Sequence, residues 1–118
     1  YVHHMLSNIK GKPTKHVGVS VLVIPLFPAG TITCFPNVRY LHIISELEQM
    51  PRSAYTGSVG YLSQNGKMDF NILIRSFIHQ ENTLTFRAGA GIVYDSIPDK
   101  ELAETKHKAE GLVKVFKD

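Results

Sequence analysis

The chain has 118 residues, of which 43% are apolar and 19% are charged, a composition typical of one globular domain and not of a disordered chain. The 13 Lys and Arg residues are scattered and the formal net charge is only +3, so we expect no nucleic-acid partner. The single cysteine, Cys34, cannot form an internal disulfide, and the longest apolar stretch (residues 17–27) is far below the ~20 residues of a membrane span, so we expect a cytoplasmic protein without a membrane partner.

The first half of the chain is predicted to contain two strand-like segments and one helix. Residues 2–7 are typical of a strand. Residues 17–27 are rich in β-branched side chains and predict a strand by propensity, although periodicity alone does not separate a short buried strand from a buried helix. Residues 37–48 carry an apolar side chain about every three positions, which predicts a helix that Pro51 ends. The predicted buried stripe of this helix is Val38, Leu41, Ile44 and Leu47.

The second half is predicted to begin with three antiparallel strands. They span residues 57–63, 70–78 and 83–87, and Asn65-Gly66 between the first two is a strong hairpin signal. Arg75 falls on the second of these strands. After the small residues 88–91, the third strand is expected to resume at residues 92–94.

A final helix is expected to begin at Pro98, because proline is favoured at the first helical position, with Ser96 or Ile97 as the cap. Its predicted buried face is Leu102, Ala109, Leu112 and Phe116. The order of elements predicts a single α+β domain over residues 1–118, an antiparallel meander with packed helices.

Two carboxylates on the last helix are candidate metal ligands. Glu101 and Glu104 are three residues apart and share one face, and Lys108 follows Glu104 by one turn. Carboxylates at this spacing can hold Mg²⁺, which prefers oxygen ligands and keeps several waters. The alternative is a solvated helix start that favours acidic residues through the helix dipole.

Three further features are candidates for binding or catalysis. Gly89 and Gly91 allow an anion to approach bare backbone N–H groups, although a strand bulge explains such glycines equally well. Arg75 suits a carboxylate because its planar fork binds one bidentately, unless it points to water. Of the adjacent His3 and His4, one is a candidate general acid or base, against the commoner structural role.

Seven segments, taken together and in order, resemble motifs of the chorismate-utilising enzymes. Among them, residues 28–33 are similar to the family turn "P-x-G-[ST]-[IL]-[ST]", and residues 88–96 resemble "A-G-[AG]-G-I-V-x-D-S". Residues 101–109 resemble "E-x-x-E-T-x-x-K-A". The other similar segments are residues 2–7, 43–48, 55–61 and 68–76.

The resemblance implies the C-terminal part of a chorismate-binding domain of αββα fold, with the N-terminal part absent. It also implies a site for chorismate and Mg²⁺. Glu104 would be a metal ligand with Glu101 beside it. The implied substrate-binding residues are Tyr55 and Arg75 at the enolpyruvyl carboxylate, the backbone of Gly89 and Gly91, and Lys108 near the ring carboxylate. The implied catalytic residues are His4 near the departing C4 hydroxyl and Thr31 beside the ring.

Within the family, residues 68–72 and 45–48 look more like aminodeoxychorismate synthase component I than anthranilate synthase component I. The resemblance therefore implies amination of chorismate to 4-amino-4-deoxychorismate, with ammonia from a glutamine amidotransferase subunit. The alternatives are anthranilate synthesis, a non-catalytic remnant, or a domain that another chain completes. Residues 34–37 depart from the family's "G-A-P-K", since Phe35 replaces a small residue and Asn37 the lysine. We expect no turnover from the chain alone.

Overall fold

The computed structural model describes residues 6–13, 17–33 and 37–117, so the predicted strand at residues 2–7 lies mostly outside the described residues. Residues 6–13 have no regular secondary structure. The element order that follows is helical first and then strands and a long helix, which confirms the predicted α+β class.

The segment predicted as a strand at residues 17–27 is helical, and that prediction is wrong. Helix α1 spans Val19–Val23 and continues as a 3₁₀ turn at Ile24–Leu26. Its first bonds run from the backbone N–H groups of Val21 and Leu22 to the carbonyl of Gly18, at 3.1 and 3.3 Å. β propensity describes how a side chain fits a sheet, and no described strand lies beside this segment, so local helical bonds satisfy its backbone instead.

Two further helices follow, a short α2 at Gly30–Thr33 and α3 at Asn37–Leu47. Helix α3 confirms the predicted helix, but its apolar stripe is not buried as predicted. Val38 is 69% exposed and Leu47 is 75% exposed, while Ile44 is half-buried. A helical stripe is buried only where a second layer covers it, and among the described residues α3 faces a cavity instead.

The strands among the described residues form two hairpins and not the single predicted meander. Strand β1, Ser58–Leu62, pairs antiparallel with β2, Met68–Ile72, and β3, Phe77–Gln80, pairs with β4, Thr83–Phe86. The predicted second strand divides because Arg75 adopts a φ of 53° between β2 and β3, which a strand does not allow. The resumption predicted at residues 92–94 is absent.

The first hairpin turns at Asn65-Gly66 as predicted. Gly66 has a φ of 81°, a left-handed conformation that glycine adopts without steric cost. The side-chain oxygen of Asn65 accepts hydrogen bonds from the Ser63 hydroxyl at 2.6 Å and the Lys67 amide at 3.1 Å. These bonds fix the register in which Gly60 lies opposite Phe70.

The last helix, α4, spans Pro98–Val113 and begins as predicted. Of the two candidate caps, Ile97 occupies the position, in extended conformation and without a side-chain bond. A 3₁₀ turn at Lys114–Phe116 follows, and its last residue, Phe116, lies edge-on to Phe77 at 5.2 Å between ring centres. Phe77 lies edge-on to Phe86 at 5.5 Å. This aromatic trio joins the end of α4 to the second hairpin.

Among the described residues no apolar side chain is buried, and Thr33, which is 3% exposed, is the one buried polar residue. The predicted buried face of α4 is accordingly incomplete, since Leu102 and Phe116 are more than half exposed. The chain has 10,671 Å² of accessible surface, against about 6,400 Å² for a compact monomer of its mass. None of the described helices is long and apolar enough to cross a membrane.

Candidate functional site

A cavity of about 590 Å³ lies between α3, the turn at residues 52–57, the bend that carries Arg75, the small-residue segment 88–91 and α4. Its lining includes five of the nine residues that the sequence singles out as a site, although they are far apart along the chain. These five residues are Tyr55, Arg75, Gly89, Gly91 and Lys108.

Three of these residues are in direct proximity. A Cβ atom added to Gly89 would lie 3.0 Å from the hydroxyl oxygen of Tyr55, so the absence of a side chain at this position lets the phenol hydroxyl approach the segment. On the other side, the ammonium of Lys108 donates a hydrogen bond of 3.2 Å to the Gly89 carbonyl. Gly89 is thus held between the turn that presents Tyr55 and helix α4.

Arg75 reaches the cavity from a bend, whereas the sequence places it on a strand. The bend is tied to the Tyr55 turn by two backbone hydrogen bonds, from the Thr56 amide to the Leu73 carbonyl at 2.8 Å and from the Leu73 amide to the Gly57 carbonyl at 2.9 Å. The left-handed φ of Arg75 is rare for a residue with a side chain, and such conformations occur where surrounding contacts enforce them.

The two candidate metal ligands lie on α4 outside the lining of the cavity. The Glu104 carboxylate forms an ion pair of 2.5 Å with the Lys108 ammonium, which links it to the cavity wall, and Glu101 is half-buried one turn earlier. The described residues contain no group of three or more His, Cys, Asp or Glu side chains placed to hold a metal. Two carboxylates on one face still fit an Mg²⁺ ion that takes its other ligands from water and substrate.

Three charged residues of the lining were not singled out from the sequence: Glu48, Arg52 and Arg87. Arg52 binds Glu48 through both Nε, at 2.8 Å to Oε2, and Nη2, at 2.5 Å to Oε1. The hydrogen bond from Arg52, helped by the charge of Arg87 and opposed by partial burial, holds the pKa of the Glu48 carboxyl below its ordinary value. Their i,i+4 spacing was the available signal, but it is common on helix surfaces.

The charge of the lining is strongly unbalanced. Among the described residues around the cavity, four are cationic and one is a carboxylate, and that carboxylate is already paired. The cations are Arg52, Arg75, Arg87 and Lys108. Apolar side chains of α3, such as Ile43 and Ile44, line the same space. A cationic cavity with an apolar wall suits a small anion that carries an apolar ring.

The two predicted catalytic residues are not tested by this geometry. His4 lies outside the described residues, as does the side chain of Thr31, whose backbone belongs to α2. The neighbours of Thr31, namely Ile32 and Thr33, do line the cavity, so α2 is adjacent to the site.

The site is thus a cationic cavity with an apolar wall, formed by segments that lie far apart in the chain. The chain belongs to the chorismate binding enzyme family, whose sequence model matches residues 1–114. It is 46% identical over 114 residues to anthranilate synthase component 1 of Methanothermobacter marburgensis, covering 97% of this chain and 25% of that protein.

Two other relatives give the same picture. The chain is 49% identical over 115 residues to an anthranilate synthase component I-like protein of Synechocystis sp., covering 96% of this chain and 23% of that one. It is 41% identical over 116 residues to anthranilate synthase component 1 of Aquifex aeolicus, covering 98% of this chain and 24% of that protein. The chain therefore spans about a quarter of the length of these relatives.

Proposed function

We propose that the chain binds chorismate and forms one wall of the active site of a larger chorismate-utilising enzyme. The observation that carries this proposal is the convergence of Tyr55, Arg75, Gly89, Gly91 and Lys108 on one cationic cavity. Chorismate is a ring dicarboxylate, so it matches both the excess of positive charge and the apolar side chains of α3. Family membership supports the substrate class.

Each of these five residues has a proposed role that its chemistry allows. Arg75 binds the enolpyruvyl carboxylate, because a guanidinium donates two parallel hydrogen bonds to a carboxylate, and the Tyr55 hydroxyl donates a further bond. The backbone N–H groups of Gly89 and Gly91 approach the same anion closely, since no Cβ intervenes. Lys108 lies near the ring carboxylate as a point charge.

Mg²⁺ is the proposed cofactor, with Glu104 as ligand and Glu101 as its neighbour. The ion would neutralise the ring carboxylate and withdraw electron density from the ring while ammonia replaces the C4 hydroxyl, which leaves as water. The Glu104–Lys108 ion pair holds the Glu104 carboxylate beside a residue of the cavity lining, where a metal ligand would be needed.

The proposed reaction is amination of chorismate to 4-amino-4-deoxychorismate in the cytosol, with ammonia from a glutamine amidotransferase partner. His4 would donate a proton to the departing C4 hydroxyl, which is a poor leaving group, and Thr31 would lie beside the ring. Residues 45–48 and 68–72 support this product. The names of the relatives support anthranilate synthesis as the second candidate.

Calorimetric titration of chorismate into the chain, with and without Mg²⁺, tests the binding function. The wild-type chain is expected to bind, Mg²⁺ to tighten binding, and Arg75→Ala to weaken it about 100-fold, because a paired guanidinium is lost from a partly desolvated site. Arg39→Ala is the matched control, since Arg39 is exposed on α3 and does not line the cavity. Absence of binding, or equal losses in the two variants, would contradict the proposal.

Catalysis is tested separately. The chain alone is expected to show no turnover of chorismate with ammonia, because a buried reaction site needs walls on more than one side. Measurable 4-amino-4-deoxychorismate or anthranilate from the purified chain would overturn this expectation.

A further inference from the structure

The turn that presents Tyr55 to the cavity is conformationally strained. Ser53 has a φ of 53° and Thr56 a φ of 67°, so two residues with side chains adopt the left-handed region on either side of Tyr55. Such a turn is not the intrinsic preference of these residues and persists only where contacts from outside hold it. Tyr55 itself is half-buried.

Each end of the turn is held by a different part of the molecule. At its C-terminal end, the Thr56 amide and the Gly57 carbonyl bond to the backbone of Leu73. At its N-terminal end, the Nε and Nη2 atoms of Arg52 donate hydrogen bonds to the carboxylate of Glu48, which lies just beyond the last residue of α3. The turn is therefore held at one end by the residue that follows α3 and at the other end by the bend that carries Arg75.

Arg52 also contacts the residue that the turn presents. Its guanidinium carbon lies 5.8 Å from the centre of the Tyr55 ring, within the range of a cation–π interaction. The hydroxyl of the same ring lies beside Gly89, since a Cβ added to Gly89 would be 3.0 Å from the Tyr55 hydroxyl oxygen. Contacts thus run in series from Glu48 through Arg52 and Tyr55 to Gly89.

We propose that Arg52, oriented by Glu48, is a positioning residue that fixes the Tyr55 ring so that its hydroxyl lies beside Gly89. Its Nε and Nη2 atoms are occupied by the Glu48 carboxylate, which makes it a support for the phenol and not a ligand of the substrate. The consequence for chorismate rests on the proposed function, whereas the consequence for the Tyr55 ring does not.

The contact itself is tested without any ligand. In the chain labelled at tyrosine and glycine, with Tyr55→Phe used for assignment, we expect a nuclear Overhauser effect between the Tyr55 ring and the Gly89 Hα protons. Arg52→Gln and Glu48→Gln are expected to abolish it, and Arg39→Gln, on an exposed part of α3, to leave it intact. Retention of the effect in Arg52→Gln would overturn the proposal.

A double variant in which residues 48 and 52 exchange their charges distinguishes two roles of Arg52: positioning the Tyr55 ring, and only attaching the turn to the end of α3. Glu48→Arg combined with Arg52→Glu restores an ion pair between the residue that follows α3 and the turn. It also places a carboxylate beside the Tyr55 ring, where the negative π face disfavours it. We expect the double variant to regain wild-type resistance to urea without regaining the Tyr55–Gly89 effect. Recovery of both the urea resistance and the Overhauser effect would mean that an ion pair of either orientation is enough to position Tyr55. That result would contradict the proposed role of the Arg52 cation.

The third readout is chorismate affinity. Arg52→Gln and Tyr55→Phe are each expected to weaken binding about tenfold, the size expected for one lost hydrogen bond, and the double variant to lose little more than either. Additive losses would show that Arg52 binds chorismate directly and would overturn the proposal. If the wild-type chain binds no chorismate, the proposed function fails, while the Overhauser effect still decides the role of Arg52.

Discussion

The Lys108 ammonium and the Gly89 carbonyl, 19 residues apart in the chain, are joined by a hydrogen bond of 3.2 Å. The same ammonium forms the ion pair with Glu104. Lys108 therefore connects the segment proposed to bind a substrate carboxylate with the helix proposed to bind Mg²⁺. A single cation can in this way couple the two halves of the site.

Removal of this cation is expected to affect both stability and binding. Lys108→Met keeps the apolar length of the side chain but leaves the Gly89 carbonyl without its donor, so we expect the free energy of unfolding to fall by about 1 kcal/mol. Chorismate affinity should fall about tenfold or more. Urea unfolding and calorimetry measure the two effects, with Lys106→Met, exposed on the same helix, as control. Equal behaviour of the two variants would refute the coupling.

A methyl group at Gly89 should disturb Tyr55 specifically. Gly89→Ala places a Cβ 3.0 Å from the phenol oxygen, closer than ordinary contact, so the ring must shift by a few tenths of an ångström. We expect about a tenfold loss of chorismate affinity, consistent with one displaced hydrogen bond. In a Tyr55→Phe background the clash is removed, and the further loss caused by Gly89→Ala should become much smaller.

Gly111→Ala is the control for that variant. No heavy atom lies within 4 Å of a Cβ at Gly111, which belongs to α4, so alanine should stabilise the helix by about 0.5–1 kcal/mol without changing affinity. The interpretation fails if Gly89→Ala has the same cost whether residue 55 is Tyr or Phe.

The Glu48–Arg52 pair predicts a specific dependence of stability on pH. The hydrogen bond from Arg52 lowers the pKa of Glu48 from its ordinary value of 4.5 in the folded chain. A lowered folded pKa stabilises the fold above the unfolded pKa, and this contribution disappears as pH falls through the folded value. The pair is partly exposed, so the effect should stay below ~1 kcal/mol after solvent screening.

The measurement is the free energy of unfolding of the wild-type chain and Glu48→Gln between pH 7 and pH 3. The difference between the two should be largest at neutral pH and should vanish at the acidic end, below pH 4.5. A difference that stays constant with pH would show that the carboxylate charge is not what matters.

Glycine should relax the strained turn. Ser53→Gly removes the cost of a left-handed φ for a side-chain residue, which exceeds the extra entropy of glycine in the unfolded chain, so we expect stabilisation of about 0.5–1 kcal/mol. Ser45→Gly, within α3, should instead destabilise by a similar amount. Urea unfolding of both variants decides the matter, and loss of stability in Ser53→Gly would show that the turn is not strained.

The parts of the fold that the sequence predicted correctly depend on local signals. The start of α4 follows from the geometry of Pro98, and the first hairpin turn from Asn65-Gly66, because both residues act on their own backbone. The helix at Val19–Val23 was not predicted, because β propensity has meaning only beside another strand. The prediction that the apolar stripe of α3 is buried was wrong for a related reason, because burial requires a second layer of structure that covers the stripe.

The site was predictable to the extent that its residues fall in recognisable motifs. Five of them do converge on the cavity. The pairing of Arg52 with Glu48 was not predictable, because it depends on how the turn leaves α3, and neither residue type is unusual there. The bend at Arg75 was also missed, since an alternating apolar pattern gives no sign of a left-handed residue within it.

The most direct test of the account is a chorismate titration followed by NMR chemical shifts of the backbone and the arginine side chains. We predict saturable shifts at Tyr55, Arg75, Gly89, Gly91 and Lys108 together, enlarged by Mg²⁺ with additional shifts at Glu101 and Glu104, and little change in the β1–β2 turn. Shifts confined to surfaces away from the cavity, or none at concentrations well above those of a specific ligand, would contradict the assignment of this cavity as a chorismate site.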